Sequence, residues 1–222
     1  KYAKIEVESF NNSKIINKKY TNSLYNLGRF YYNNLQFDKA IKNYKKVVEL
    51  NNYPKRVGQA YGELGRCYKR KNELYKSVIY FKKGISILEN LKEYKSLFSQ
   101  YINLAITYDN INDVKSLNNS FYYLNKTKEL SKKNISLKLS NIYSMNSGFA
   151  NYYNTDLKYN FIKSKEYYLK NLKVSLKEKD TNVIVSSYLN LGELYIREKK
   201  DSAIYFLKKS LIFSSKLNRK IA

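Results

Sequence analysis

The residue types that most often carry catalysis are scarce in this chain, which limits the chemistry it can perform. Its 222 residues contain no histidine and one cysteine, Cys67. Without histidine, imidazole acid–base catalysis, a serine–histidine triad and histidine metal ligation are excluded within this segment. Cys67 lies on an apolar stripe, as a small core residue does, and it has no second cysteine for a disulfide or zinc motif. Glycine-rich phosphate-binding loops are also absent. We therefore predict no catalytic site, no metal site and no cofactor.

The charged side chains could instead support binding. Lys and Arg number 42 against 18 Asp and Glu, a formal net charge of +24. A field of this sign favours acidic protein segments, nucleic acid or an anionic membrane surface. The lysines are scattered and not blocked, however, as on solvated helix faces, and abundant Lys, Asn, Ile and Tyr also reflects AT-rich coding. Nucleic-acid binding is a minority hypothesis, because no recognised nucleic-acid motif is present.

The composition favours helices as the elements that position these side chains. The chain contains one proline and seven glycines, so it has few residues that interrupt a helix. Its 25 tyrosines and 10 phenylalanines suit half-buried interfaces between elements. No apolar run approaches the length needed to cross a bilayer, so we predict no membrane span within the segment.

One motif recurs along the chain and indicates an internal repeat. It consists of a large residue, then a Leu-Gly or Leu-Ala pair, then a tyrosine, as in Leu24-x-x-Leu27-Gly28-x-x-Tyr31. Further copies begin at Tyr61, Tyr101 and Tyr188, and a degenerate copy surrounds Gly148. A small residue with a large one four positions later follows each copy, as Ala40/Tyr44, Ser77/Phe81, Ser120/Leu124, Ser164/Tyr168 and Ala203/Leu207.

The spacing of the motif predicts two helices packed closely against each other. Large residues at i, i+3, i+4 and i+7 form one stripe of a first helix. Glycine inside a helix costs about 1 kcal/mol relative to alanine, so its recurrence needs a packing reason. Four of the seven glycines occupy this one motif position, where a second helix can approach. The repeating unit is therefore predicted to be a helical hairpin.

These residues resemble the tetratricopeptide repeat family, whose pattern is an aromatic residue, Leu-Gly and Tyr in a first helix, and Ala with Phe or Tyr in a second. Copies beginning near Thr21, Gly58 and Val185 match well, that near Phe98 matches in its first helix, and that near Asn141 is weak. The resemblance implies an all-α fold, a right-handed superhelical stack of antiparallel helical hairpins. The copies are spaced more widely than the family's 34 residues.

We expect a single repeat domain over residues 1–222, and this segment to belong to a longer protein. About five repeats are expected, preceded by a partial helix at 1–20. Their expected bounds are residues 21–57, 58–97, 98–140, 141–184 and 185–222.

The resemblance also implies where a ligand would bind. In this family the first helices line a concave groove, and the residue before the Leu-Gly pair points into it. Four of the five residues here carry amides, whose combined donors and acceptors suit the repeating backbone of an extended peptide. The abundance of asparagine throughout the chain is the competing explanation. The five residues are Asn26, Glu63, Asn103, Asn146 and Asn190.

Arginines near this row add a second possible function. Arg29, Arg66 and Arg70 could hold a carboxylate bidentately, either on an acidic side chain or at a C-terminus. Arg197 lies close to the row in the last repeat. A solvated helix face is the alternative for all four.

The leading hypothesis is a non-catalytic scaffold that binds a protein or an extended, acidic peptide segment in the groove. The alternative is a sensory or dimerising segment of a larger bacterial signalling or transcription regulator, in which self-association would matter. The sequence leaves the compartment open: the absence of disulfides slightly favours the cytoplasm, and one cysteine is equally compatible with a bacterial periplasm.

Overall fold

The computed structural model describes residues 18–133 and 137–218, most of them in ten α-helices. The predicted partial helix at 1–20 therefore lies almost wholly outside the described residues. A short 3₁₀ helix, Asp156–Lys158, lies between the seventh and eighth α-helices. The α-helices are α1 (Lys18–Asn33), α2 (Phe37–Leu50), α3 (Pro54–Arg70), α4 (Leu74–Asn90), α5 (Tyr94–Ile111), α6 (Val114–Ser131), α7 (Leu139–Asn154), α8 (Phe161–Glu178), α9 (Thr181–Ile196) and α10 (Lys200–Asn218).

Short turns and local caps set the ends of these helices. The single proline, Pro54, opens α3, where its missing N–H costs no helical hydrogen bond. Side-chain oxygens of Asn160 and Asp180 cap α8 and α9 by accepting from backbone N–H groups three residues on. Six inter-helix turns each place one residue at positive φ, a conformation that asparagine tolerates well. These residues are Leu35, Asn51, Asn72, Lys92, Asn112 and Lys179.

The described residues form two compact units, of which the first contains residues 18–111 and 129–133. Within it, α1 pairs with α2 and α3 with α4, while α3 also contacts both α1 and α5. The motif glycines lie where the paired helices cross, with Gly28 against the Tyr44 ring and Gly65 against the Phe81 ring. Both rings are fully buried, so each fills the space that the missing side chain leaves.

The second unit contains residues 112–128 and 137–218. Its helices α7 and α8 form one hairpin, α9 and α10 another, and α8 packs against α9. The same crossing recurs with aliphatic partners, because Gly148 faces Leu124 and Gly192 faces Leu207. The predicted all-α arrangement of antiparallel helical hairpins is confirmed. Among the described helices, none is both long and apolar enough to cross a membrane.

Candidate functional site

The first unit contains a cavity of about 490 Å³ lined mainly by α3 and α5. Helix α3 supplies four polar residues at spacings of three or four, which places them on one helix face. Helix α5 supplies a second polar face across the cavity from α3, and Tyr25 of α1 lines another side of the cavity. The polar residues from α3 are Lys55, Gln59, Glu63 and Arg66, and those from α5 are Lys95, Ser96, Ser99, Gln100 and Asn103.

Glu63 lies between an arginine and a tyrosine. Its Oε2 accepts a hydrogen bond from Arg66 Nη1 at 2.8 Å, and its Oε1 accepts from the Tyr25 hydroxyl at 3.4 Å. The Arg66 guanidinium also lies over the Tyr32 ring, 4.4 Å from its centre. Burial and the Glu63 carboxylate raise the pKa of Tyr25, so its hydroxyl remains a donor. This arrangement fixes the rotamer of Glu63 inside the cavity.

Asn103 connects the α5 face to Lys69 of α3. Its Nδ2 donates to the Ser99 carbonyl at 2.8 Å, and its Oδ1 accepts from Lys69 Nζ at 3.1 Å. Burial, with the nearby charges of Arg66 and Arg70, lowers the pKa of Lys69 to about 8. The end of the cavity near Asn103 therefore holds several cationic groups on α3.

At the other end, direct polar contacts connect α3 to α5. Lys55 Nζ and Glu93 Oε1 form an ion pair at 2.8 Å. Gln59 Nε2 donates to Ser96 Oγ at 2.9 Å, while Gln59 Oε1 accepts from Arg56 Nη1 at 2.7 Å. These bonds hold the two cavity walls in a fixed register.

Gln100 is the buried polar residue of the cavity wall. Its Nε2 donates to the Gly58 carbonyl at 2.8 Å, and its Oε1 has no hydrogen-bond partner among the described residues. A Cβ atom at Gly62 or Gly84 would collide with its carboxamide. Two glycines outside the repeat motif therefore make room for this one side chain.

Three of the residues predicted from the sequence meet at the cavity: Glu63, Arg66 and Asn103. Asn26 and Arg29 are exposed on α1 and do not line it. Arg70 is exposed in the last turn of α3, close enough to Lys69 to lower its pKa.

The other three predicted residues belong to the second unit. Asn146 is buried, and its Nδ2 donates to Asn171 Oδ1 at 3.0 Å within the α7–α8 hairpin. Asn190 is half-buried on α9. Arg197 is exposed and pairs with Asp156 at 2.8 Å. The five groove positions thus differ in exposure, and the predicted amide row is not uniform.

Several cavity residues were missed by sequence reasoning. Gln59 and Lys55 lie one and two turns before Glu63 on the same face, so helical spacing could have found them. Gln100 could have been found only from the paired, non-motif glycines. Within the residues that the structure describes, no three His, Cys, Asp or Glu residues come together to hold a metal ion.

Comparisons with known proteins agree with this hairpin architecture. Two models of the tetratricopeptide repeat family match the chain, one at residues 21–53 and the other at 58–95. These ranges cover most of α1 with all of α2, and most of α3 with all of α4. No curated protein sequence matches the chain significantly.

Solved structures extend the similarity over nearly the whole chain. BtubC (BKLC) from P. vanneervenii superposes with a TM-score of 0.80 at 13% identity, covering 98% of this chain and 90% of that one. Nearly identical TPR-like repeats described for a kinesin light chain of Podosopora anserina superpose with a TM-score of 0.68 at 16% identity. The match covers 89% of this chain and 96% of that one. YrrB, described as a TPR protein with an unusual peptide-binding site, superposes with a TM-score of 0.54 at 15% identity. The match covers 99% of this chain and 100% of that one. At such identities the similarity concerns the fold, and the two family-model matches show that this chain contains tetratricopeptide repeats at residues 21–53 and 58–95.

Proposed function

We propose that this chain is a non-catalytic scaffold that binds an extended segment of another protein in the cavity bounded by α1, α3 and α5. The observation that carries the proposal is the convergence of polar side chains from the first helices of successive hairpins on one space. The peptide-binding site attributed to YrrB, which has the same fold, supports this use of the architecture.

The cavity walls suit a peptide backbone more than a small apolar ligand. Gln59, Ser96, Ser99 and Asn103 offer neutral donors and acceptors along about two turns of helix. A peptide in extended form presents N–H and C=O groups at regular intervals, and each must be satisfied when it leaves water. We therefore propose main-chain hydrogen bonding as the principal interaction.

The charges of the cavity favour an acidic segment. Glu63 and Glu93 are each paired with a cation of the wall, Arg66 and Lys55 respectively. Lys95 is exposed at the cavity, and Lys69 with Arg70 adds positive charge near Asn103. A carboxylate entering near Asn103 would offset these cations. Asn26 and Arg29 on α1, and Asn190 and Arg197 in the second unit, remain predicted contacts of a longer ligand.

The test is a peptide-display selection on the full chain, followed by titration calorimetry of the best peptide. Asn103→Ala should weaken binding by about 1–3 kcal/mol if its amide satisfies a buried peptide group. Asn43→Ala is the matched control, because Asn43 Nδ2 makes the same bond to the carbonyl four residues earlier, at 2.8 Å, on α2 outside the cavity.

The salt dependence separates this proposal from binding driven by net charge alone. A groove ligand should stay bound in 0.5 M NaCl, whereas phosphate-driven binding of RNA or DNA weakens steeply as salt rises. Equal affinities of Asn103→Ala and Asn43→Ala, or loss of all selected peptides at high salt, would contradict the proposal.

A further inference from the structure

Helix α8 presents a row of large apolar side chains to solvent. Ile162, Leu169 and Leu176 are 72%, 40% and 43% exposed. They are spaced seven residues apart, so they lie on one side of α8 along about 21 Å of its length. Helix α8 already packs against α7 and α9 through other residues, among them Ser164, Tyr168 and Leu172. We call Ile162, Leu169 and Leu176 the α8 ridge.

The ridge is specific to α8 among the second helices of the hairpins. The small buried residue that opens the second-helix motif, Ser164 in α8, gives these helices a common register. The three ridge residues lie two positions before it, five after it and twelve after it. At the first two positions α2 carries Asp38 and Lys45, and α6 carries Asn118 and Asn125. Helix α4 carries Tyr75, Lys82 and Glu89, and α10 carries Asp201, Lys208 and Ser215. Only α8 places an apolar residue at all three.

A row of lysines runs beside the ridge at the same spacing. Lys163, Lys170 and Lys177 are exposed and each follows a ridge residue directly. Lys170 pairs with Glu166 at 2.6 Å, whereas Lys163 and Lys177 form no ion pair with any residue in the described part of the chain. Basic residues beside an apolar seam are where coiled coils place ion pairs to a second helix.

We propose that the α8 ridge docks an amphipathic helix of a partner protein that carries acidic residues beside its apolar face. The seven-residue spacing keeps a ridge against a neighbouring helix, and the lysine row selects glutamate or aspartate on it. A second copy of this chain fits poorly, because it would bring another lysine row and another net charge of +24. The surface lies in the second unit, so the inference is independent of the cavity in the first.

The first test uses a synthetic 21-residue helical peptide with leucines spaced to form one apolar face and glutamates flanking it. Fluorescence anisotropy with the full chain in 0.15 M NaCl should show saturable binding. Two matched peptides, one with lysine for every glutamate and one with serine for every leucine, should bind at least tenfold more weakly. Equal binding of the serine peptide would overturn the proposal, because net charge alone would then explain association.

The second test places the peptide on the ridge. The double variant Ile162→Asn/Leu169→Asn carries the residues of α6 at the same register positions, and it should bind at least tenfold more weakly. Tyr75→Asn is the control, because Tyr75 is equally exposed at the first of these positions on α4. Circular dichroism checks that each variant is folded.

Two results would overturn the proposal. One is unchanged peptide affinity in the folded double variant, which would place the peptide elsewhere. The other is a dimer of the unvaried chain in analytical ultracentrifugation that the double variant abolishes, since a second copy would then cover the ridge.

Discussion

At the scale of single residues, the motif glycines differ in how tightly the opposing side chain is held. A Cβ atom at Gly65 would lie 2.9 Å from three atoms of the Phe81 ring, and that ring is 1% exposed. A Cβ atom at Gly148 would approach mainly one terminal methyl of Leu124, while the next Leu124 atom lies 3.7 Å away. A methyl group can rotate away, but an aromatic ring buried on all sides cannot.

We therefore expect Gly65→Ala to destabilise the protein more than Gly148→Ala. The cost of overpacking the Phe81 ring should exceed the gain of about 1 kcal/mol from the higher helix propensity of alanine. The free energy of unfolding should therefore fall by about 1–2 kcal/mol. For Gly148→Ala the two effects should nearly cancel. Urea unfolding followed by circular dichroism measures both variants, with Ser86→Ala on the exposed face of α4 as the propensity control. Equal losses in the two variants would contradict this explanation.

Lys69 provides a prediction about pH. Its pKa in the folded protein is lowered to about 8 by burial and by Arg66 and Arg70, against about 10.4 for an unfolded lysine. Below pH 8 the Lys69 amine is protonated in both the folded and the unfolded protein, and the folded protein then holds an unfavourable buried charge. Between pH 8 and 10.4 the unfolded state binds more protons, so the contribution of Lys69 to stability rises with pH.

Replacing Lys69 by methionine should therefore stabilise the protein more at pH 7 than at pH 10. The variant-minus-native difference in unfolding free energy should fall by about 2–3 kcal/mol over this interval. Urea unfolding of both proteins at the two pH values gives the difference directly, and shared tyrosine titration cancels in it. A difference that does not change with pH would show that Lys69 keeps an ordinary pKa.

The site was only partly predictable from the residues. Repeat register brought Glu63 and Asn103 to the cavity, because helix periodicity fixes which residues share a face. The same register also predicts a groove position for Asn146, but in the structure its amide donates a hydrogen bond to Asn171 of the adjacent helix. A sequence does not reveal such pairings, since they depend on how far apart two helices lie.

At the scale of the helices, Gln100 holds three elements together. Its side chain reaches from α5 to the Gly58 carbonyl of α3 and occupies space left by Gly84 of α4. Gln100→Ala should leave a cavity between these helices and cost about 2 kcal/mol. Amide hydrogen exchange should accelerate in α3, α4 and α5.

The control for Gln100 is Gln59→Ala, which removes one hydrogen bond between α3 and α5 at a half-buried position and therefore leaves no buried cavity between the helices. Its effect on stability and on exchange should be smaller. Comparable exchange rates in the two variants would mean that Gln100 does not hold the helices together.

The hairpins themselves were predictable because their signals are local. Each motif glycine with its small and large partners specifies one helix crossing, and glycine has few other reasons to recur inside helices. The turns were harder: Asn51 and Asn72 fit a left-handed conformation, but Leu35 and Lys92 adopt it too. Tertiary packing imposes that conformation on residues that do not favour it. The division into about five repeats over residues 1–222 stays a prediction.

The exposure of the α8 ridge could not be predicted from the spacing of its residues. Apolar residues spaced by seven resemble any core stripe, and Ile162 and Leu169 look the same in sequence as buried Leu172. Exposure distinguishes them, because it depends on which faces the neighbouring helices cover. Only the packing of α7 and α9 on α8 shows which of its apolar residues stay exposed, and those of the ridge do.

At the scale of the whole molecule, the net charge of +24 sets a general electrostatic cost of folding. Compact structure brings like charges together, and the resulting repulsion opposes the folded state. Ion pairs in the described residues, such as Lys71 with Asp38 and Lys170 with Glu166, lie at the surface, where each contributes little. Repulsion between lysines should therefore outweigh attraction.

Added salt should stabilise this protein. Raising NaCl from 0.05 to 0.5 M shortens the screening length to well below 10 Å, which weakens repulsion between scattered lysines. We expect the melting temperature to rise by about 2–4 °C, the shift that about 1 kcal/mol produces in a chain of this size. Lys42→Gln/Lys45→Gln, which removes two exposed charges from α2, should raise the melting temperature at low salt and reduce the salt response. A melting temperature that falls with salt would mean that attractive pairs dominate, and the lysines would then be arranged to stabilise the fold.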